Sequence, residues 1–360
     1  MNHGNRHLVY TRFQLCFLML LFCSCSNYGY AEPVSSKAQD LYVADFEIDS
    51  VFRCSIASGD NGTLNSCKAL SGSFGAVTVG LTCATAWNDS TYAYVLDNGG
   101  QLFQCLLTAE GLEQCHVTPP PNGGWSPIGI ALGPRNAGGV QTQFAYVADN
   151  SSNNIYRCLV NRIGALSGCR ATPSTTPGWF PSGIVLASVN HTLYAYIASN
   201  PSPNSAIYRC LINPDGTLGA FNTCLNPTPK NIDASVWGPQ GIAFATVSNN
   251  GAATQYAYVA DSDGGHVYQC TLDITGKPTN GTLTSCTATP SAGAPSWNPT
   301  GITFVTSAGQ QYAYVADGRG SGLLYRCMLS NDGALSDCRT TPNDAPWTGV
   351  FSSATMTGIT

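Results

Sequence analysis

The groups able to do chemistry in this sequence are few, and most of them recur. Five carboxylates, Asp45, Asp97, Asp149, Asp261 and Asp317, close copies of one phrase, Tyr-Val-Ala-Asp or Tyr-Val-Leu-Asp. In a sixth copy Ser199 takes the place of the acid. Four indoles, Trp125, Trp179, Trp237 and Trp297, each open the pattern Trp-x-Pro-x-Gly. Flat aromatic faces stack on sugar rings, and carboxylates accept hydrogen bonds from hydroxyls. A ring of both suits a multivalent glycan-binding surface on which weak sites add by avidity. The repetition equally suits a structural role. Asp before Asn, Ser or Gly forms side-chain-capped turns, and Trp wedges between packed sheets.

A catalytic centre would break such symmetry, and the material for one is sparse. Beyond residue 31 the chain has His116, His191 and His266, and only the glutamates 32, 47, 110 and 113. Asp261-Ser262-Asp263-Gly264-Gly265 before His266 is a turn or a fragment of a cation loop, far short of a full calcium site. No Gly-x-Ser-x-Gly elbow, His-Glu-x-x-His or phosphate-binding loop is present. No catalytic residue, metal or cofactor is therefore assigned. The best places to look for asymmetry are Ser199 and the insertion Asn226–Trp237 with Lys230. The arginines of Tyr-Arg-Cys and Phe-Arg-Cys (Arg53, Arg157, Arg209, Arg326) read as strand residues whose stems cover apolar surface.

What positions these groups is an internal repeat. The tyrosines that open the phrase are 42, 94, 146, 196, 258 and 314, at intervals of 52, 52, 50, 62 and 56 residues. About nine residues after each phrase comes an aromatic-x-Cys, then a turn with Gly and Leu, then a second Cys, and usually Pro-x-Gly-Ile. Each unit offers four short β-type runs, A to D, with no sustained helical period. Four strands per repeat of this length describe a β-propeller blade. The first repeat lacks an A run and the last ends in a surplus one, Thr348-Gly349-Val350-Phe351. The expectation is an all-β, six-bladed β-propeller, four antiparallel strands per blade, closed by a C-terminal strand. Closure removes sheet edges that would invite aggregation.

The cysteines fit the same plan. The pairs Cys54–Cys67, Cys105–Cys115, Cys158–Cys169, Cys210–Cys224, Cys270–Cys286 and Cys327–Cys338 lie 10 to 16 residues apart, too far for clustered metal ligands. A two-residue turn at Asp332-Gly333 sets Cys327 opposite Cys338, and the same register opposes Cys158 and Cys169. A three-residue loop, Ala109-Glu110-Gly111, opposes Cys105 and Cys115. Opposed Cα atoms lie about 4.5–5.5 Å apart, within disulfide reach. One C–D hairpin disulfide per blade is expected, leaving Cys83, just after the A run of blade two, unpaired and buried.

The rhythm resembles that of bacterial lactonase-type propellers and of the NHL repeat. Gln311-Tyr312-Ala313-Tyr314-Val315-Ala316-Asp317 and Asp332-Gly333-Ala334-Leu335-Ser336 carry the likeness, which spans about residues 41–353. It implies the propeller fold. A lactonase-type hydrolase or isomerase would need a His, Glu and Arg cluster in the channel, which cannot be placed here. The lactonase group also has seven blades and lacks these Cys pairs.

Residues 1–31 read as a secretory signal: Arg6 and Arg12, an apolar run Phe13–Phe22, and Gly29-Tyr30-Ala31 before Glu32. A lipoprotein acylated at Cys25 fits less well. The propeller then occupies 32–360. Losing two Arg takes the formal charge from −5 to −7. Only 10% of residues are charged, against about 25% for an average soluble domain. A nucleic-acid partner, which needs a basic face, is not expected, nor is a membrane span in the mature chain. The sequence points to a secreted or periplasmic monomer that binds a glycan or a protein. The alternatives are the lactonase-type enzyme and a scaffold of a surface assembly.

Overall fold

The computed structural model describes residues 39–341, apart from loop segments within that span, and the strand 356–359. The expected signal sequence, Trp179, Lys230, Trp347 and the run 348–351 lie outside the described residues. Six antiparallel sheets form the molecule. Blade one holds β1 (Gln39–Asp45), β2 (Ser50–Ile56) and β3 (Leu64–Leu70). Blade two runs β4 (Thr78–Thr85), β5 (Thr91–Asp97), β6 (Leu102–Leu107) and β7 (Leu112–Thr118). Blade three runs β8 (Pro127–Leu132), β9 (Gln143–Asp149), β10 (Asn154–Val160) and β11 (Leu166–Thr172). Blade four has three described strands, β12 (Pro181–Val189), β13 (Thr192–Ser199) and β14 (Ala206–Leu211). Blade five runs β15 (Pro239–Asn249), β16 (Ala252–Asp261), β17 (His266–Leu272) and β18 (Leu283–Ala288). Blade six runs β19 (Pro299–Ser307), β20 (Gln310–Asp317), β21 (Leu324–Leu329) and β22 (Leu335–Thr340). The chain then returns: β23 (Met356–Ile359) pairs with β1 and supplies the inner strand of blade one. The closing strand is thus not the run 348–351. Met356-Thr357-Gly358-Ile359 carries the Thr-Gly-Ile of Pro299-Thr300-Gly301-Ile302, and that match marks the true inner strand.

The inner strands contact one another around a closed circuit. The core is correspondingly divided into six apolar clusters, each shared by two adjacent blades, the last joining blade six to blade one. Both faces of the second strand feed them. Along β5, β9, β13, β16 and β20 the residues of Ala-Tyr-Val-Ala type are buried in succession, as in strands covered on both sides.

All six expected disulfides are present. The turn geometry differs from expectation in blades two, three and six. In blade six Leu329 opposes Leu335 and Arg326 opposes Arg339, so the register slips by one residue between them. The loop takes three residues, with Gly333 at φ 84°, and an extra residue on the outer strand, Asp337 at φ 47°, restores the pairing at the cysteines. Gly168 at φ 58° and Gln114 at φ 49° do the same in blades three and two, where the loop Ala109-Glu110 is one residue shorter than expected. Cys83 lies within β4 rather than after it, buried and outside the six disulfides.

Each blade also grips the next. The tyrosine hydroxyls of strand B donate to the glycine carbonyl of the following blade's C–D hairpin: Tyr94 to Gly164 at 2.7 Å, Tyr146 to Gly216 at 2.7 Å, Tyr196 to Gly281 at 2.6 Å, Tyr258 to Gly333 at 2.6 Å, and Tyr314 to Gly62. The residue before the hairpin glycine, or in blade two the residue two before it, is held as well. Arg53 donates to the Ala109 carbonyl, Gln104 to Ile163, Arg157 to Asp215, Arg209 to Asn280, Gln269 to Asp332, and Arg326 to Asn61. That set goes once round the ring and closes it. The repeated arginines therefore do more than cover apolar surface. Three of them also lie over strand-B rings, Arg157 on Phe144, Arg209 on Tyr194 and Arg326 on Tyr312.

Candidate functional site

The repeated acids and indoles converge at one end of the barrel of blades, where strand B ends and strand A begins. Asp45, Asp97, Asp149, Asp261 and Asp317 have no exposed surface. Their carboxylates receive backbone N–H groups. Asp149 Oδ1 accepts from Ser126 at 2.8 Å, Asp261 Oδ1 from Gly238 at 2.8 Å, and Asp317 Oδ1 from Asn298 at 3.1 Å. In each case the donor is the residue after the Trp. Ser199 does the same work by hydroxyl, accepting from Phe180 N at 3.1 Å. Asp97 instead caps its own loop through Gln101 N at 2.7 Å. Burial pushes the Asp97 and Asp261 carboxyls above the usual aspartate range, against the lowering effect of these N–H donors.

Trp125, Trp237 and Trp297 are 5%, 2% and 5% exposed. Their rings pack on the strand-C tyrosine of their own blade: Trp125 on Tyr156 at 5.6 Å, Trp237 on Tyr268 at 5.4 Å, Trp297 on Tyr325 at 5.3 Å. Phe74 takes the same place against Phe103 in blade two. Each indole also belongs to an inter-blade cluster. The structure thus buries Trp125, Trp237 and Trp297 at the joint between blades, where the residue after each Trp donates to an Asp carboxylate. The histidines are scattered: His116 on an outer strand, His191 in the Asn190-His191 turn between β12 and β13, and His266 at the start of β17. Among the described residues no three His, Cys, Asp or Glu side chains group as a metal site.

Sequence reasoning missed a feature that this joint positions. Strand A enters as Pro-x-Gly, or Thr-x-Gly in blade two. In blades two, three, five and six the first of these residues and the Gly pair with successive residues of strand B, leaving x as a bulge outside the strand register: Val79, Ile128, Gln240 and Thr300. The register of β12 and β23 breaks at the same place. Bulges turn side chains out of the regular pleat and collect at rims and sites. At Gly80, Gly129, Gly183 and Gly241 a side chain is excluded because the next blade's bulge carbonyl rests on the glycine. A Cβ on Gly129 would lie 2.6 Å from the Ser182 oxygen, and one on Gly241 2.7 Å from the Thr300 oxygen. Ile128, Ser182, Gln240 and Thr300 are half-buried, at the end of the blades where strand A begins. Ser182 and Thr300 also bend back to the carbonyls of Ala198 and Ala316. The signal available in the sequence was a strand-interior Gly repeated beside a variable residue.

The arrangement defines a class, the disulfide-stapled six-bladed β-propeller. No family model and no curated protein matches the chain. Among solved structures it is similar to a protein from Lactobacillus plantarum, with 14% identity, 85% of this chain and 82% of that one covered, and a TM-score of 0.52. The BP39L lectin from Burkholderia pseudomallei gives the same identity and TM-score over 85% and 84% of the two chains. These likenesses establish the propeller fold. They do not extend to a lactonase or NHL protein in particular.

Proposed function

We propose that the chain is a non-enzymatic binding propeller acting outside the cytoplasm, with carbohydrate as its ligand class. The observation that carries the reading is the ring of bulge residues. The tyrosines, glycines, cysteines and most of the Asp and Trp positions repeat from blade to blade, whereas the bulge position holds Val, Ile, Ser, Gln, Thr and Thr. A constant framework with a variable rim, half-buried at Ile128, Ser182, Gln240 and Thr300, is the distribution expected of a surface that recognises an asymmetric ligand. On this reading Trp and Asp serve binding indirectly, by fixing the entry of strand A. Six disulfides need an oxidising compartment, which supports export. No described helix is long and apolar enough to cross a membrane. One propeller of similar fold is a lectin, so glycans are the first ligands to test.

The test is a glycan array, with a lactone panel beside it, on oxidised protein starting at residue 32. Gln240→Ala and Ile128→Ala should each weaken glycan binding about tenfold, the cost of ~1.4 kcal/mol. Thermal melting of both variants should stay near that of the parent. Turnover of a lactone would replace this reading with the enzymatic one. Silence on both panels would leave only a scaffold.

A further inference from the structure

Blades three and five end strand B with connections of equal length, and the two correspond residue by residue. Asp149 pairs with Asn154 across Asn150–Asn153, and Asp261 pairs with His266 across Ser262–Gly265. The fourth loop residue is left-handed in both, Asn153 at φ 57° and Gly265 at φ 67°. The chemistry of the two carboxylates nevertheless differs. Asp149 is saturated. Its Oδ1 accepts from the N–H groups of Ser126 and Ser151 and from the Ser151 hydroxyl at 3.0 Å, and its Oδ2 accepts from the Ser152 hydroxyl. Ser152 Oγ also lies 3.3 Å from the Tyr156 hydroxyl, so one hydroxyl sits between carboxylate and phenol.

In blade five Gly264 occupies the Ser152 position and brings no hydroxyl. Its N–H donates to Asp261 Oδ1 at 3.1 Å, and Gly238 takes the other share of that oxygen. Asp261 Oδ2 is buried with no hydrogen-bond partner among the described residues, as are Trp237 Nε1 and His266 Nδ1. The Trp237 and His266 rings flank Tyr268, the counterpart of Tyr156, at 5.4 and 5.8 Å. Trp125 carries the same unpaired N–H in blade three, so the indole alone does not distinguish the blades. Against blade three the open carboxylate oxygen and His266 do; Asp97 Oδ2 in blade two is buried without a hydrogen-bond partner among the described residues as well, so His266 is what sets blade five apart from it.

A buried polar atom left unpaired is destabilising, so these atoms favour a polar guest. A guest that donates to Asp261 Oδ2 and can also accept a hydrogen bond is a hydroxyl. An anion is disfavoured, because Asp233 and Asp263 add further negative charge around Asp261 and Tyr268. We propose that blade five holds a subsite for one hydroxyl of a sugar or other polyol, bound where the Ser152 hydroxyl sits in blade three. The subsite rests on the binding-propeller reading and names the group that the ligand presents.

Gly264→Ser tests it, because it supplies the missing hydroxyl from the chain itself. Gly264 is not left-handed, so serine is conformationally allowed there. The probes are methyl glycosides of glucose, galactose, mannose and fucose, with glycerol as the simplest polyol. Binding is followed on oxidised protein by the indole N–H resonance of Trp237, assigned with Trp237→Phe. The expected result is a saturable shift with at least one probe, weakened about tenfold in Gly264→Ser. The reverse exchange, Ser152→Gly, should create a new response at Trp125. Equal binding by parent and Gly264→Ser overturns the subsite. So does an unmoved Trp237 resonance with every probe, which would mean that a buried water fills the space. If glycans still bind on the array and Gln240→Ala weakens them, the subsite fails and the binding reading stands. If no glycan binds at all, both fail.

Discussion

At Asp261 and Asp97 the cost of burial outweighs the gain from backbone donors, and the carboxyls rise above their usual range. A carboxyl that is harder to ionise in the folded chain takes up protons on folding at pH values between the ordinary aspartate value, about 3.9, and its raised one. These two groups therefore add stability as pH falls through that window and lose it as pH rises. Asp261→Asn keeps the Oδ1 acceptor without the charge. It should melt above the parent at pH 7, with the gap shrinking toward about pH 4, as scanning calorimetry across that range would show. A gap that widened on acidification would reverse the sign. Burial acts in the same direction on the phenols of Tyr146, Tyr196, Tyr258 and Tyr314, which keep their protons and remain donors. Tyr258→Phe retains the ring and removes only the bond to Gly333. Urea unfolding should register a loss of about 1–2 kcal/mol.

At the scale of the strand, the close approach of neighbouring inner strands fixes what the Pro-x-Gly entry tolerates. Gly241→Ala sets a methyl against the Thr300 carbonyl and Gly301, with backbone rather than side chain to displace. It should destabilise by about 1–3 kcal/mol, the usual cost of overpacking. Gly251→Ala, in a β15–β16 turn with open space around it, meets only the strain of φ 82° and should cost less. Chemical denaturation of the two variants side by side ranks them, and equal losses would mean that the strands can move apart.

Much at this scale was legible in advance. Cysteine spacing pointed to the six bonds because strands C and D must lie side by side whatever their turn. The turns themselves do not follow from that spacing, since one bulged residue, Asp337, Gly168 or Gln114, absorbs a one-residue change of loop and leaves the cysteines opposed. The rim bulges were hidden for a related reason. Their side chains vary, and only the neighbouring Gly repeats. The closing strand was placed at the first C-terminal Thr-Gly, although Thr357-Gly358-Ile359 fits the pattern better. For the Asp and Trp positions, residue type could not separate a sugar platform from a joint, because the same groups serve both. Burial places Trp125, Trp237 and Trp297 in the joint.

Over the whole molecule the six apolar clusters and the circuit of side-chain-to-hairpin bonds form one head-to-tail interface repeated until it meets itself. A chain ending at residue 355 would lose β23, uncovering the β1 edge and interrupting the circuit of inner strands where blade six should contact blade one. Such a truncation should aggregate during refolding and lose cooperative unfolding, because an open sheet edge offers itself to other chains. Light scattering on refolded protein would detect it.

Because every junction uses the same grip, no blade is intrinsically first. The first and last described strands, β1 and β23, lie side by side in blade one. Opening the chain between the exposed residues Pro119 and Pro120, while a short linker joins Ile359 to Gln39, would move the ends to another joint and leave all six interfaces intact. The permuted protein should reach the same disulfide pattern and a melting point near that of the parent. The linear order of the gene would then be one of several equivalent spellings of a circular object.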